Sequence, residues 1–392
     1  MSAPPSNRPP AVRDVFRKLG DAGLFRSLAN ASSLGRGARQ LARLAHEADH
    51  LGTFLSIIAA AGLATPILKQ GIEGAPTNPL ILGLLADALA GRVVLAVAIT
   101  ERDAGSDVAS MRTAIHRADD GSLRLRGAKW HITNAPVADA VVVFAVDTTS
   151  DDRFLTAVVV RRGDRGVKLG PPLDLIGCKG SPTGELWLED VPISETRIVG
   201  RRVDGRALLD LAFVRERVLA PWPLLGKMER VLEECLDHVE TREQFGRPIH
   251  EFQFVQEKIL SSFEAMLHAR HLAERAVESV VRGAPHAGLA SLAKAAAADA
   301  AAHTFRSAIE VFGSYGVQAE RRYGDWLNDA LCAQIAGGTR ETHKKVVFGE
   351  LRLERARART LAARGLGRTP GRVSLLRSAA LENEEGAHGR ES

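Results

Sequence analysis

Two helical stretches of this 392-residue chain flank a central region that has the pattern of β-strands. Residues 11–92 place apolar side chains three and four positions apart, as amphipathic helices do. Between residues 93 and 200, short apolar or alternating runs follow one another, separated by Gly, Asp, Pro and Ser. Residues 201–363 return to long stretches rich in Ala, Leu, Glu and Arg. This order predicts an α+β multidomain protein: an N-terminal helical domain, a central β domain and a C-terminal four-helix bundle.

The composition narrows the class of protein. With 45% hydrophobic residues, the chain can bury a large core. It has no segment with the basic start, apolar centre and cleavage site of a secretory leader, and no uninterrupted apolar run of the roughly 18 residues that a membrane span needs. We therefore expect a soluble, cytoplasmic protein without a membrane span. Residues 1–10 and 364–392 are expected to be disordered.

Cysteine content and charge leave fewer conclusions. Three widely spaced cysteines, Cys178, Cys235 and Cys332, argue against a disulfide framework and against structural zinc. The net charge of +5 is compatible with an anionic partner, which could be nucleic acid, a nucleotide cofactor or an acidic carrier protein. Much of the excess lies in the arginine-rich residues 352–372, for which a solvated helix end is the simpler interpretation.

Four separated segments carry distinctive glycine and polar residues: ITERDAGSD (residues 99–107), KWHITN (129–134), REQFGRPI (242–249) and IAGGTRE (335–341). In the first segment, Gly105 adds no side-chain bulk and Ser106 offers a hydroxyl, so the backbone can approach a flat ring. In the third, the planar guanidinium of Arg242 suits paired bonds to phosphate oxygens. Together the segments resemble the FAD-binding core of the acyl-CoA dehydrogenase family, over roughly residues 11 to 350.

This resemblance implies a fold, a cofactor and an assembly. The family has the same domain order, with a β-barrel-like central domain, and here the N-terminal domain is shortened. The cofactor is FAD, and one part of its site is built across a subunit boundary in a homotetramer or a dimer. The residues implied to contact FAD are Ile99, Thr100, Gly105, Ser106, His131, Thr133, Arg242, Phe245, Ile249, Glu310, Gly313, Ser314, Thr339 and Glu341. Ser106 and Arg217 are implied to contact substrate, and an electron-transfer flavoprotein is implied as the partner.

The second segment departs from the family pattern. A tryptophan usually stands where this chain has His131, and the indole has moved to Trp130. Because successive strand residues face opposite sides, we expect that Trp130 does not replace the missing indole directly. His131 is interpreted either as a group near the flavin or as a neutral strand histidine satisfied by its neighbours.

The position of the catalytic base also departs from many relatives, which carry it where this chain has Gly337. A second branch of the family, which includes isovaleryl-CoA and long-chain acyl-CoA dehydrogenases, places a glutamate before an arginine on the first long helix of the bundle. Glu216 and Arg217 match that place, 26 residues before Arg242. On one helix this is about seven turns, so both side chains could face one flavin site from different levels. We predict Glu216 as the base and the Gly337 backbone N–H as a donor to the thioester oxygen.

The chemistry that the resemblance implies is α,β-dehydrogenation of an acyl thioester, carried by CoA or by a carrier protein. A carboxylate removes the proton next to the carbonyl, and a hydride leaves the β-carbon. Two alternatives stay open at this stage. One is an oxidase or monooxygenase of the same fold, and the other is a non-catalytic relative that binds FAD or nucleic acid.

Overall fold

The computed structural model describes residues 11–74 and 78–363. The predicted disordered ends, residues 1–10 and 364–392, lie outside this part. The α-helices are α1 (Val12–Asp21), α2 (Leu24–Ala29), α3 (Leu34–Glu47), α4 (Gly52–Ile58), α5 (Thr65–Gly74), α6 (Pro79–Leu89), α7 (Gly205–Leu219), α8 (Pro221–Thr241), α9 (Gln253–Val281), α10 (Ala287–Phe312), α11 (Tyr323–Ala333) and α12 (Arg340–Ala363). The strands are β1 (Leu95–Ala98), β2 (Ala114–Arg117), β3 (Leu123–Thr133), β4 (Ala140–Asp147), β5 (Leu155–Arg161), β6 (Val167–Leu169), β7 (Thr183–Ile193), β8 (Glu243–Gln244) and β9 (Arg247–Pro248).

A continuous helical segment runs through α4 and α5. The two helices are joined by a wider turn of π-helix over Ala59–Ala64. By length and composition alone the segment Gly52–Gly74 could cross a membrane, with a mean hydropathy of 1.5 over its most apolar window, but 83% of that window is buried inside the protein. It packs as a core helix, and its apolar character is accounted for by that burial.

Strands β1 to β7 form one mixed sheet. β1 and β2 both run parallel to β4, at its two ends, whereas β4 with β5, β2 with β3, β3 with β7 and β6 with β7 are antiparallel. Within the described residues the hydrogen bonds do not close the sheet, because β5 pairs only with β4 and β6 only with β7. The expected barrel-like domain is therefore an open sheet that curves round an interior of its own.

The two faces of β4 show how the sheet meets the helices. Val141 and Val143 point into an apolar cluster formed by the strands and the turns between them. Val142 and Phe144 point the other way, into a cluster shared with α5, α6 and α7. Alternate side chains of one strand thus serve two cores. The sheet is fixed against the helices, and the loops at its edge meet the C-terminal bundle.

The C-terminal bundle is centred on α10, which packs against α7, α8, α9, α11 and α12. Small side chains line much of this helix and let its neighbours approach closely. The buried alanines of α10 are Ala290, Ala293, Ala297, Ala298, Ala300, Ala301, Ala302 and Ala308. α7 and α8 are nearly continuous, since Ala220 between them keeps a helical conformation. Residue 216 on α7 and residue 242 after α8 are therefore 26 positions apart along one helical rod.

Candidate active site

The predicted base, Glu216, lies against Gly337. Glu216 is on α7 and only 4% exposed. A Cβ atom added to Gly337 would lie 2.6 Å from the carboxyl carbon of Glu216 and 2.5 Å from its Oε2. Gly337 also has φ +69, a conformation that L side chains rarely adopt. The carboxylate of Glu216 thus fills the space that a side chain at position 337 would need.

The surroundings of Glu216 favour its neutral form more than water does. Burial raises the pKa of its carboxyl group, and the charges of Lys294 and Arg217 oppose that rise. Its Oε2 atom is buried without a hydrogen-bond partner in the structure. A buried carboxyl group with an unused acceptor and a raised pKa is suited to taking up a proton from a bound molecule.

Sequence reasoning missed two buried polar residues beside Glu216. Lys294, on α10, is 3% exposed and donates to the backbone oxygens of Ala336 at 2.6 Å and Gly338 at 2.9 Å. His343, on α12, is buried, and neither of its ring nitrogens has a partner. Burial and the charges of Lys294 and Arg217 lower the pKa of His343 to about 3, so its ring is neutral.

The one sequence signal for Lys294 is its setting. It is the lone basic residue in the stretch SLAKAAAADAAA, whose other members are small or apolar apart from one aspartate. A lysine in such a helix must find buried acceptors, but the sequence does not say which. For His343 we find no sequence signal.

A cavity of about 60 Å³ joins Glu216 to the core of the bundle. Glu216, Lys294 and Asp329 supply polar groups, whereas its apolar walls include Phe54, Ile58 and Leu224. Arg217 turns away from this cavity, donating to Ser291 Oγ at 3.2 Å and lying over the ring of Phe213. The predicted substrate contact by Arg217 has no support in this placement.

One cysteine, Cys178, lies at this site. Cys178 lines the cavity and its N–H donates to Asp329, but all three cysteines are free. Among residues 11–74 and 78–363, no group of three or more His, Cys, Asp or Glu side chains is arranged to hold a metal ion.

The first predicted FAD segment is held by a buried ion pair. Lys129, fully buried on β3, donates to Glu101 Oε1 and to the oxygen of Ile99, both at 2.9 Å. Glu101 also accepts from the N–H groups of Arg112 and Thr113, at 2.7 and 2.9 Å. Burial raises the pKa of Glu101, but these hydrogen bonds and the Lys129 charge outweigh it and leave the pKa below its usual value. Both ends of the loop that carries Gly105 and Ser106 are thereby fixed.

The second segment contains a bulge that changes the expected facing of its side chains. Pairing of β3 with β7 shifts register between Lys129 and Ile132, and His131 has φ +53. Simple alternation therefore fails here, and the argument that Trp130 and His131 face opposite sides is wrong. Their rings lie 6.4 Å apart, with Trp130 partly covered by Arg102 and His131 exposed.

The segment is anchored just beyond this bulge. Asn134, fully buried, donates to the backbone oxygens of Ser56 and Leu95, both at 3.0 Å. The N–H of Trp130 donates to the oxygen of Thr100 at 2.9 Å, which brings the first two predicted segments side by side. The hydroxyls of Thr100 and Thr133 have no partner anywhere in residues 11–74 and 78–363.

The fourth segment reaches the first through α12. Thr342 donates to Ser106 Oγ at 3.3 Å, and the Thr339 and Thr342 hydroxyls are 3.3 Å apart. Glu341 is exposed on the first turn of α12. Nothing lies within 4 Å of a Cβ added to Gly105, so the loop leaves open space in front of it. Hydroxyl groups beside such a gap, together with the unpartnered ones of Thr100 and Thr133, fit the polar edge of a flavin.

The remaining predicted FAD residues form a second group at the far end of the bundle. Arg242 lies 5.9 Å from the ring of Tyr315, next to the turn that contains Gly313 and Ser314. Phe245 is 94% exposed at the tip of the β8–β9 hairpin. Ile249 is buried and donates its N–H to the oxygen of Arg242, while Glu310 pairs with Lys258. An exposed arginine with aromatic neighbours fits a phosphate group bound at this end.

The two groups of predicted residues are far apart in one chain. Residues 294 and 310 are separated along α10 by 16 positions, or about 24 Å. Residues 216 and 242 are separated by 26 positions, or about 39 Å along a straight helix. No hydrogen bond joins the two groups within the described part of the chain. The expectation that Glu216 and Arg242 face one flavin site therefore fails within a single chain.

Comparison with known proteins agrees with this geometry. Residues 96–191 match the family description "Acyl-CoA dehydrogenase, middle domain", and residues 204–351 match "Acyl-CoA dehydrogenase, C-terminal domain". The chain belongs to the acyl-CoA dehydrogenase family. The matched residues include both FAD segments of the sheet, Glu216 and Gly337.

Individual acyl-CoA dehydrogenase relatives cover different shares of the chain. Mitochondrial isovaleryl-CoA dehydrogenase of Solanum tuberosum is 34% identical over 269 residues, which are 68% of this chain and 65% of that protein. The L-prolyl-[peptidyl-carrier protein] dehydrogenase of Pseudomonas fluorescens is 30% identical over 85% of this chain and 89% of its own. The structure of butyryl-CoA dehydrogenase from Megasphaera elsdenii superposes with a TM-score of 0.78 at 25% identity, covering 86% of this chain and 90% of that one.

The match to the acyl-CoA dehydrogenases confirms the predicted family and the predicted fold class. Helical N- and C-terminal parts surround a central sheet, as expected, and only the closure of the barrel is missing. The role of each site residue stays a prediction, since the comparisons extend to domains and not to individual side chains.

Proposed function

We propose that this protein is an FAD-dependent dehydrogenase that introduces an α,β double bond into an acyl thioester, with Glu216 as the general base. The observation that carries the proposal is the placement of the Glu216 carboxylate in the space of a residue-337 side chain. Many family members carry the base at the position of Gly337. The Glu216 carboxylate reaches the space beside Gly337 from α7.

The chain's own residues account for the proton transfer. Glu216 lies in a small cavity with largely apolar walls, where a thioester α-proton can be taken by the unused Oε2. The N–H of Gly337 donates to no group in the described part of the chain, so it is free to donate to the thioester oxygen. This donor stabilises the negative charge that the oxygen gains as the proton leaves.

The cofactor site combines the two groups of residues. Thr100, Ser106 and Thr133 would hold the flavin ring, and Arg242 would bind the pyrophosphate. FAD, when bound there, accepts the hydride that leaves the β-carbon. Because the two groups lie at opposite ends of the bundle in one chain, a complete site needs Arg242 from a second copy.

Self-association therefore belongs to the proposal, as a homotetramer or a dimer. Its support is a stripe of exposed apolar residues on the first half of α9, formed by Leu260, Phe263 and Leu267, with Phe254 and Phe245 exposed near the start of the helix. Exposed aromatic and aliphatic side chains at helical spacing are expected to be covered by a partner. Cytoplasmic location and an electron-transfer flavoprotein as acceptor are proposed from the family resemblance.

The proposal covers two thioester carriers. The candidate carriers are CoA and a carrier protein. The similarity to an L-prolyl-[peptidyl-carrier protein] dehydrogenase supports the carrier protein as a candidate.

The test is an anaerobic titration of the purified, flavin-loaded protein with short- and long-chain thioesters of CoA and of a carrier protein. Bleaching of the flavin absorption by one class of thioester would establish dehydrogenation and identify the carrier. Glu216→Gln is expected to slow bleaching by about 10²–10⁴-fold while FAD stays bound. Glu229→Gln is the matched control, because Glu229 is on the following helix and only pairs with Arg270.

Two results would contradict the proposal. Near-normal bleaching in Glu216→Gln would rule out Glu216 as the base. Flavin that no thioester reduces, but that air reoxidises rapidly after chemical reduction, would favour an oxidase or monooxygenase of the same fold.

A further inference from the structure

Lys294 binds the loop that faces Glu216 through two hydrogen bonds to backbone carbonyl groups on either side of Gly337. Its ammonium group donates to the oxygens of Ala336 and Gly338, the residues immediately before and after Gly337. In the described part of the chain Lys294 has no carboxylate within ion-pair distance. A buried ammonium group held only by backbone oxygens is costly, so this arrangement calls for a reason beyond packing.

One consequence of these two bonds concerns the direction of the Gly337 N–H. The chain has no cis peptide bonds among its described residues, so the N–H of Gly337 points opposite to the oxygen of Ala336 in the same peptide unit. Because Lys294 fixes the oxygen of Ala336, it also fixes the direction of the Gly337 N–H. This N–H has no hydrogen-bond partner in the described part of the chain. The bond to the oxygen of Gly338 holds the peptide unit that follows Gly338, a residue with φ +122. Lys294 thus stabilises a loop conformation that depends on two glycines.

A second consequence is electrostatic. Lys294 and Glu216 line the same cavity. Of the charges that oppose the effect of burial on the pKa of Glu216, Lys294 is the largest. Burial lowers the pKa of Lys294 itself to about 8, which leaves it charged at neutral pH. A buried positive charge keeps more of the neighbouring carboxyl in the ionised form that can accept a proton.

We propose that Lys294 is a positioning residue of the dehydrogenation: it orients the Gly337 N–H toward its acceptor and keeps Glu216 ready as a base. This inference rests on the proposed function. It adds a third residue, from α10, to the pair formed by α7 and the loop before α12.

Two variants separate the two effects of Lys294. Lys294→Gln removes the charge but keeps N–H donors that can reach a backbone oxygen, whereas Lys294→Met removes both. Lys227→Gln is the matched control, because Lys227 is also fully buried and also donates to two backbone oxygens, those of His46 and Ala48. Lys227 is not part of the cavity around Glu216.

The first readout does not use turnover. Infrared difference spectra of the flavin-loaded, full-length protein, with Glu216→Gln as the blank, follow protonation of the Glu216 carboxyl against pH. We expect its titration to move to higher pH in both Lys294 variants and to stay in place in Lys227→Gln. Amide hydrogen exchange at residues 335–339 should speed up in Lys294→Met and much less in Lys294→Gln.

The second readout is kinetic. The acidic limb of the kcat/KM profile should move to higher pH in Lys294→Gln, and Lys294→Met should lose on the order of 10²-fold in kcat/KM through misplacement of the donor. An unchanged Glu216 titration together with unchanged exchange would overturn the inference. If the wild-type protein reduces no thioester, the proposed function fails, while the infrared and exchange results still decide whether Lys294 acts on Glu216 and on the loop.

Discussion

The carboxylate of Glu216 occupies the space that a side chain on residue 337 would need. A Cβ atom on residue 337 would lie 2.6 Å from the Glu216 carboxyl carbon, well inside the distance that real Cβ atoms keep from their neighbours. The glutamate on α7 and the glycine before α12 therefore form one unit, although 120 residues separate them in sequence. A side chain added at position 337 would therefore require the Glu216 carboxylate to move.

This shared space predicts that substitutions at positions 216 and 337 have non-additive effects on the free energy of unfolding. Gly337→Ala should destabilise the protein by about 1–2 kcal/mol from the left-handed conformation alone, and further from contact with Glu216. In a Glu216→Ala background the second part should vanish, giving a coupling free energy of about 0.5–3 kcal/mol in a double-mutant cycle. Denaturant unfolding of the four proteins measures it.

A suitable control for this cycle is Gly349→Ala. Gly349 is also on the segment that follows the loop, within α12, and a Cβ there has open space around it. This change should stabilise the protein by about 0.5–1 kcal/mol in both backgrounds. Strictly additive effects of Gly337→Ala and Glu216→Ala would show that the two residues do not share space in solution.

The buried pair of Glu101 and Lys129 is predicted to support both stability and FAD retention. Lys129→Met leaves the Glu101 carboxylate buried without its cation, which should cost about 3–5 kcal/mol of the free energy of unfolding. The loop with Ser106 should then lose its fixed ends, so the purified variant should carry less FAD. Denaturant unfolding and the ratio of flavin to protein absorbance measure the two effects.

The exposed pair of Lys168 and Glu189 offers a matched comparison, with both side chains more than half exposed. Lys168→Met should change the free energy of unfolding by less than about 1 kcal/mol and leave FAD content as in the wild type. Equal losses for the two lysine variants would mean that the Glu101–Lys129 pair has no special role in the loop.

Much of the fold could be predicted from the sequence, because hydrophobic periodicity reports helices and strands directly. The sequence also paired Glu216 with Gly337, and the structure brings these two residues into contact. Lys294 could not be assigned in this way. Its acceptors are backbone oxygens on another element, and a backbone oxygen leaves no trace in the sequence.

The bulge at His131 escaped prediction for a different reason. Successive side chains of KWHITN were assumed to point to opposite sides of the sheet. A positive φ at a residue other than glycine is uncommon, and no residue in this segment indicated one. The separation of Arg242 from Glu216 was misjudged because seven helical turns were counted, but their length of about 39 Å was not. Length along a helix decides whether one ligand can reach both residues.

The junction between α10 and α12 is predicted to depend on pH. His286, just before α10, forms ion pairs with Glu350 at 2.7 Å and Glu354 at 3.3 Å on α12. The hydrogen bond to Glu350 raises the pKa of His286 against the opposing effect of burial. A raised folded-state pKa means that this stabilisation is fully present below the unfolded value of about 6.5 and is lost as pH rises through the folded value.

The pKa of Glu350 sets the acidic limit of the same junction. Burial raises it, but His286 and the N–H groups of Gly288 and Ala287 outweigh burial, so the pKa is lowered. Its stabilisation is present above the unfolded value of about 4.3 and is lost as pH falls through the folded value. The stability advantage of wild type over His286→Gln should therefore be largest between about pH 4.5 and 6.5.

Denaturant unfolding at several pH values measures this advantage. His271→Gln serves as the control, because that ring contacts only the oxygen of Leu267 on its own helix. Its difference from wild type should stay constant over the range. An advantage of the His286 protein that grows above pH 7 would contradict the assigned ion pairs.

Arg242 and Glu216 are predicted to complete one FAD site from two different chains. Arg242→Ala alone should lose FAD, and Glu216→Gln alone should keep FAD but lose turnover. Co-expressed, the two variants form mixed assemblies in which one site joins Glu216 of one chain with Arg242 of the other. For random pairing in a two-fold symmetric dimer, about a quarter of the sites should then be active.

Thioester-dependent flavin bleaching in the mixed preparation measures this rescue. The matched control co-expresses the double variant, Glu216→Gln with Arg242→Ala, with Glu216→Gln, and should show no rescue because no chain supplies the base. Absence of rescue in the first mixture, with mixed assemblies demonstrated by differently tagged chains, would place Arg242 and Glu216 in separate functions. Rescue would instead explain why Glu216 and Arg242, which serve one FAD site, are about 39 Å apart along one helical rod.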